Sequence, residues 1–168
     1  MGKLAAFLEK EANRIRAERA TKEPETAREW CEAVNQMMEL MEGWIRESDP
    51  SGLLPIHCYT FGQIERKIGY YETRALRIAT GYRECTITPR ARWVLGAAAI
   101  PGETLADIEG TIEMQHGPFT HYSIHRIMRN GSYQWLMQNE YKIEKRRPWD
   151  SYPFTREAFE EAMINILE

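Results

Sequence analysis

The stretch PETAREWCEAVNQMMELMEGWIRE, residues 24–47, decides the fold. Its apolar residues Ala27, Trp30, Val34, Met37, Met41 and Trp44 recur at intervals of three and four, and Cys31, Met38 and Ile45 widen the stripe. A helix turning once per 3.6 residues gathers all of them on one face. Pro24 suits the first turn, where its missing N–H costs nothing, and Glu25 complements the helix dipole. A face carrying Trp30, Trp44 and three methionines cannot stay in water. At roughly 25 cal/mol per Å² its burial is worth several kcal/mol, so another layer must cover it.

The 168 residues suffice for one domain with its own core, expected to span 1–168. An apolar fraction of 43% and a charged fraction of 28% exclude a largely disordered chain. A net charge of −3 predicts no general attraction to nucleic acid or acidic membranes. Three cysteines, Cys31, Cys58 and Cys85, are odd in number and far apart, the pattern of reduced thiols. The apolar run after Met1 is too short for a secretory signal and nothing approaches a membrane span, so a cytoplasmic location is expected.

Upstream, Leu4, Phe7, Leu8, Ala12 and Ile15 form a second stripe, and the short 20–23 segment predicts that the two helices fold back over residues 1–48 as a hairpin. The cluster Ser48-Asp49-Pro50-Ser51-Gly52 ends the long helix. Residues 53–68 read ambiguously, as a strand around Ile56, Cys58 and Thr60 or as a helical turn. From Tyr70 the period becomes two, and an antiparallel sheet is expected within 53–149. A turn at Thr80-Gly81 would set Leu76 opposite Cys85 and Arg77 opposite Glu84, and Trp93, Val94 and Leu95 would continue the sheet. Residues 106–114 alternate cleanly. Ala106, Ile108, Gly110, Ile112 and Met114 share one face, Asp107, Glu109, Thr111 and Glu113 the other, and Gly110 marks a bulge or bend.

The strongest hairpin signal is Asn130-Gly131, suited to a type I′ turn. It pairs Met128 with Tyr133, Arg126 with Trp135, Ile124 with Met137 and His125 with Leu136, and it aligns His121 with Glu140. Arg126 on Trp135 is a cation–π candidate. A closing helix over 155–167 has Thr155 as N-cap, a staple of Phe154 and Phe159, and a buried face of Phe159, Ala162, Met163 and Ile166.

Three clusters bear on function. Asp107, Glu109 and Glu113, joined by His121 and Glu140, offer oxygen and imidazole ligands to Mg²⁺ or Mn²⁺. Asp107 with Glu140 and Lys142 faintly resembles the PD-(D/E)xK nuclease core, a resemblance that implies metal binding and an oriented water. The intervening Asn130 hairpin and the lack of a Pro before Asp107 depart from that pattern. His121 and His125 sit two pleats apart, where a surface pair with Glu140 and a half-buried ring are the ordinary outcome. Arg126, Arg129, Tyr133 and Trp135, with the basic run Lys142, Arg146 and Arg147 and the aromatics Trp149 and Tyr152, form a patch of cations and aromatics. Such a patch grips phosphates and bases, or anchors a protein partner.

The expected fold is therefore α+β: an N-terminal helical hairpin packed on a curved antiparallel sheet of about five to seven strands, with a C-terminal helix. The order of elements resembles the NTF2-like cone, which implies a pocket between helix and sheet. With no catalytic constellation evident, no catalytic residue is assigned and no cofactor expected. The leading expectation is a non-catalytic protein-interaction module, an accessory or regulatory subunit that binds a protein or itself. A ligand-binding cone and a metal-dependent nuclease or nucleic-acid binder are the alternatives.

Overall fold

The computed structural model describes residues 2–20, 24–66, 68–92, 97–99, 105–140 and 151–168. Helices α1 (Lys3–Ala20) and α2 (Pro24–Ser48) precede strands β1 (Ile56–Glu65), β2 (Gly69–Thr80), β3 (Arg83–Ala91), β4 (Ala97–Ala99), β5 (Leu105–His116), β6 (Phe119–Arg129), β7 (Ser132–Asn139) and β8 (Ser151–Pro153). Helix α3 (Arg156–Leu167) follows. The sheet runs β1-β2-β3-β5-β6-β7-β8 with antiparallel neighbours throughout, and β4 pairs with β5 where β3 has ended. Among the described residues its two ends do not meet, so the sheet is open, with β1 at one edge and β8 at the other.

Helix α2 is covered as its periodicity demands. Trp30, Val34, Met38 and Met41 are wholly buried, against Leu76, Ile78, Ile87, Ile112, Met114, Ile124 and Met137 of the sheet. Helix α3 joins that core through Phe159, Ala162, Met163 and Ile166. Its Thr155 hydroxyl caps the Ala158 N–H at 3.2 Å, and the rings of Phe154 and Phe159 meet edge to face, 6.2 Å apart. At the C-terminal end of α2, the Asp49 carboxylate accepts from Leu53 N (2.9 Å) and Leu54 N (2.7 Å). Those bonds hold its pKa below the usual carboxylate value and start the turn into β1.

Arginines pin the polar flank of α2 at intervals. Arg126 of β6 pairs with Glu29, Arg74 of β2 reaches Glu39 and Glu42 at 2.8 Å each, and Arg156 of α3 reaches Glu47 at 2.6 Å. Helix α1 is different: Leu4, Phe7 and Leu8 are exposed, so the apolar stripe expected against the sheet is open to water at these three positions.

The Asn130-Gly131 hairpin forms in the expected register, with φ of 51° and 78° at its two central residues. The β2–β3 hairpin is shifted by two from the expected pairing. Leu76 faces Ile87 and Ile78 faces Cys85, because the loop is Gly81-Tyr82, with Gly81 at φ 50°, rather than Thr80-Gly81. A slip of two keeps every side chain on its face, and Arg77 still reaches Glu84 diagonally at 2.5 Å. The ambiguous segment resolves as β1, ten residues paired with β2 without a register break. Cys58 on it is exposed, whereas Cys85 is buried and Cys31 partly so, and all three are free. Trp93, Val94 and Leu95 lie outside the described residues.

The bulge expected at Gly110 is present, and it overturns the facing of β5. Between the pairs Ile108–Ile127 and Thr111–His125 the chain holds one residue more than its partner, with Gly110 at φ 145°. An extra residue reverses the alternation. Ile108 accordingly leaves the face of Ile112 and packs in a separate cluster with Ile127 and Leu136, while Glu109 turns toward the side of α2.

Candidate functional site: an aromatic cleft between α2 and β7

Strand β8 pairs with β7 only from Leu136 to Gln138, and one further bond runs from Phe154 N to Trp135 O at 3.0 Å. The chain then turns away into α3, which leaves the start of β7 beyond the reach of β8. Met37, Leu40 and Trp44 of α2 stand across from this stretch. Between them opens a cleft of about 570 Å³, its other walls formed by Tyr133, Trp135 and Phe154, with Arg129 at its rim. Phe154 is held by Trp44, whose ring lies 5.6 Å away, and Trp135 by the fully buried Trp30, stacked at 6.2 Å and 28°. The aromatic walls are thus fixed from behind.

Beside the cleft lies a chain of polar groups, much of it buried. The Arg126 guanidinium sits 3.4 Å from the centre of the Tyr133 ring and donates through both terminal nitrogens to Glu29. Its Nε has no hydrogen-bond partner among the described residues. The Tyr133 hydroxyl donates to Glu109 at 3.2 Å, and Arg92 donates to the same carboxylate at 3.1 Å. The Arg92 backbone N–H donates to Glu65, which also accepts from the Tyr71 hydroxyl, and Trp30 Nε1 donates to that hydroxyl at 3.3 Å. Burial and then the Glu65 carboxylate raise the Tyr71 pKa, and burial and then Glu109 raise that of Tyr133. Both phenols stay protonated at neutral pH. They act as hydrogen-bond donors that fix neighbouring carboxylates.

Of the residues expected to form the patch, Arg126, Arg129, Tyr133 and Trp135 are brought together here. Arg126 lies closest to Tyr133, with Trp135 at 6.0 Å. Tyr152 instead sits on β8 opposite Met137 and packs on the main core, where burial raises its pKa to about 12. Lys142, Arg146, Arg147 and Trp149 lie outside the described residues. Sequence reasoning missed the opposing wall, because Met37 and Trp44 read as core and Leu40 falls outside the stripe. It missed Glu65 because that segment was ambiguous.

The acidic set is dispersed. Asp107 is exposed, Glu109 is bound by Arg92 and Tyr133, and Glu113 lies on the other face with Arg90 (3.1 Å) and Gln115 (2.9 Å). Glu140 accepts from Ser123 at 2.5 Å, and the His121 ring meets that of His116 edge-on at 6.0 Å. The bulge has split the single acidic face that the alternation predicted. Among the described residues no group of three or more His, Cys, Asp or Glu side chains is placed to hold a metal ion. His125 is buried, with Nδ1 at 2.9 Å from Thr111 Oγ1 and Nε2 at 3.0 Å from Gln138 Oε1. Lys142, the third residue of the resemblance to the nuclease core, lies outside the described residues. Among the described residues no helix is long and apolar enough to cross a membrane. Compared with known proteins, the chain matches no family model, no curated protein and no solved structure.

Proposed function

We propose that this protein is an interaction module whose cleft between α2 and β7 receives an apolar segment of another protein. The observation that carries the reading is the cleft itself. Trp44, Tyr133, Trp135 and Phe154 converge on an open space of about 570 Å³, and α2 and the buried Trp30 brace them. Aromatic and methionine side chains held rigid at a surface lose little entropy on binding, which is why they dominate interface hot spots. The segment would lie along the start of β7, its apolar side chains between the rings and its polar atoms toward Arg129.

A second reading draws on the same observation. The volume falls within the range of small-ligand pockets, so a flat apolar molecule would also fit between α2 and the sheet. Selection from a displayed random-peptide library, followed by titration of the enriched peptides, separates the two. Enriched peptides that bind the wild type and lose at least tenfold in affinity against Trp135→Ala and Phe154→Ala support the interaction module. Failure to enrich any peptide, or equal binding to both variants, overturns it.

A further inference from the structure

We infer that β1, at the sheet edge opposite the cleft, pairs antiparallel with β1 of a second copy of this chain to form one continuous sheet across a two-fold axis. Strand edges in soluble proteins are normally guarded by brevity, a bulge, a proline or inward and flanking charges. Strand β1 has no bulge and no proline within it, and its proline neighbour Pro55 and its one charged residue Glu65 stand at its two ends. It is ten residues long, pairs with β2 at every position without a break, and reads Ile-His-Cys-Tyr-Thr-Phe-Gly-Gln-Ile-Glu, with its only carboxylate at the last position. Among the described residues no strand pairs with its outer edge.

The hydrogen-bond parity of the edge chooses the register. Ala79 N donates to Pro55 O across the β1–β2 ladder at 3.4 Å, and the pairing of Ile56 with Ile78 puts those two residues opposite each other. Odd-numbered residues of β1 therefore bond inward to β2. The N–H and C=O groups of Ile56, Cys58, Thr60, Gly62 and Ile64 point outward. A two-fold pair using these groups throughout centres on Thr60 opposite Thr60 of the second copy. It sets Ile56 against Ile64, Cys58 against Gly62, Tyr59 against Phe61 and His57 against Gln63. Each is an apolar, aromatic or uncharged match, no two carboxylates oppose each other, and the exposed Ile64 gains an apolar partner. Such self-complementarity is what an isologous interface requires.

Sedimentation equilibrium of the full chain tests this. The expected mass is twice the 19.7 kDa of one chain. Thr60→Pro removes an outward donor from each copy at the axis, and Ile64→Lys places a charge against Ile56. Each variant should weaken the dimer by about a hundredfold while keeping the circular dichroism of the wild type. Hydrogen exchange should find the Cys58, Gly62 and Ile64 amides protected in the wild type and fast in the variants. A monomeric wild type, a dimer that survives in a folded variant, or fast exchange at those amides in the wild-type dimer overturns the inference. If Thr60→Pro does not fold, Ile64→Lys and the wild-type exchange pattern decide alone.

Discussion

At the scale of the residue, Gly110 carries the most consequence. A β-carbon built on it would lie 2.3 Å from Trp30 Cζ3, and its φ of 145° suits glycine alone. Gly110→Ala therefore meets both a backbone it cannot adopt and a ring that is wholly buried in the core. The expected loss is about 3 kcal/mol or more by urea denaturation, whereas Gly43→Ala, inside helix α2 where the space is open, is expected to gain up to about 1 kcal/mol. The residue was legible in the sequence as a bulge. Its effect on Ile108 and Glu109 was not, since alternation assigns faces only until one extra residue reverses them.

At the scale of the element, α2 and the two long hairpins show how far pattern reaches. The α2 stripe, the Asn130 turn and the α3 face were all readable, because each joins a local backbone preference to the burial it serves. The Gly81 turn was readable in kind but placed one residue early. Glycine at the first central position is what a II′-like turn wants, and that preference selects Gly81-Tyr82. Strand β1 alternates too weakly to announce itself, its exposed and half-buried residues differing little in polarity. The ion pair that pins the start of α2 invites a test of charge against packing. Arg126 is 4% exposed while its partner Glu29 is 43% exposed, so removing the cation leaves a carboxylate that water can still solvate. Arg126→Met keeps the stem over Tyr133 and is expected within about 1 kcal/mol of the wild type by denaturant titration, whereas Arg126→Ala empties the site and costs about 2–3 kcal/mol.

At the scale of the whole molecule, the histidines inside the sheet couple stability to pH. Burial is the largest cause holding His125 below the ordinary imidazole pKa, and His121 is lowered by burial with help from His116 and Arg83. Below about pH 6.5 the unfolded chain takes up protons that these folded rings refuse, so stability falls with pH until the lowered values are passed. The melting temperature should drop between about pH 7.5 and pH 5, and by less in His125→Gln, as differential scanning calorimetry can show. No part of this was legible from composition, since it depends on which side of the sheet His121 and His125 occupy. The cleft escaped for the same kind of reason: it joins Leu40 and Trp44 to Tyr133 across about ninety positions of chain. The stacking of Trp30 on Trp135 has one more consequence. Two indoles so close share their electronic excitation, and light of opposite circular polarisation then sees a matched pair of bands of opposite sign. That optical signature belongs to the seating of α2 on the sheet and would disappear on undocking even while the helix itself stayed wound.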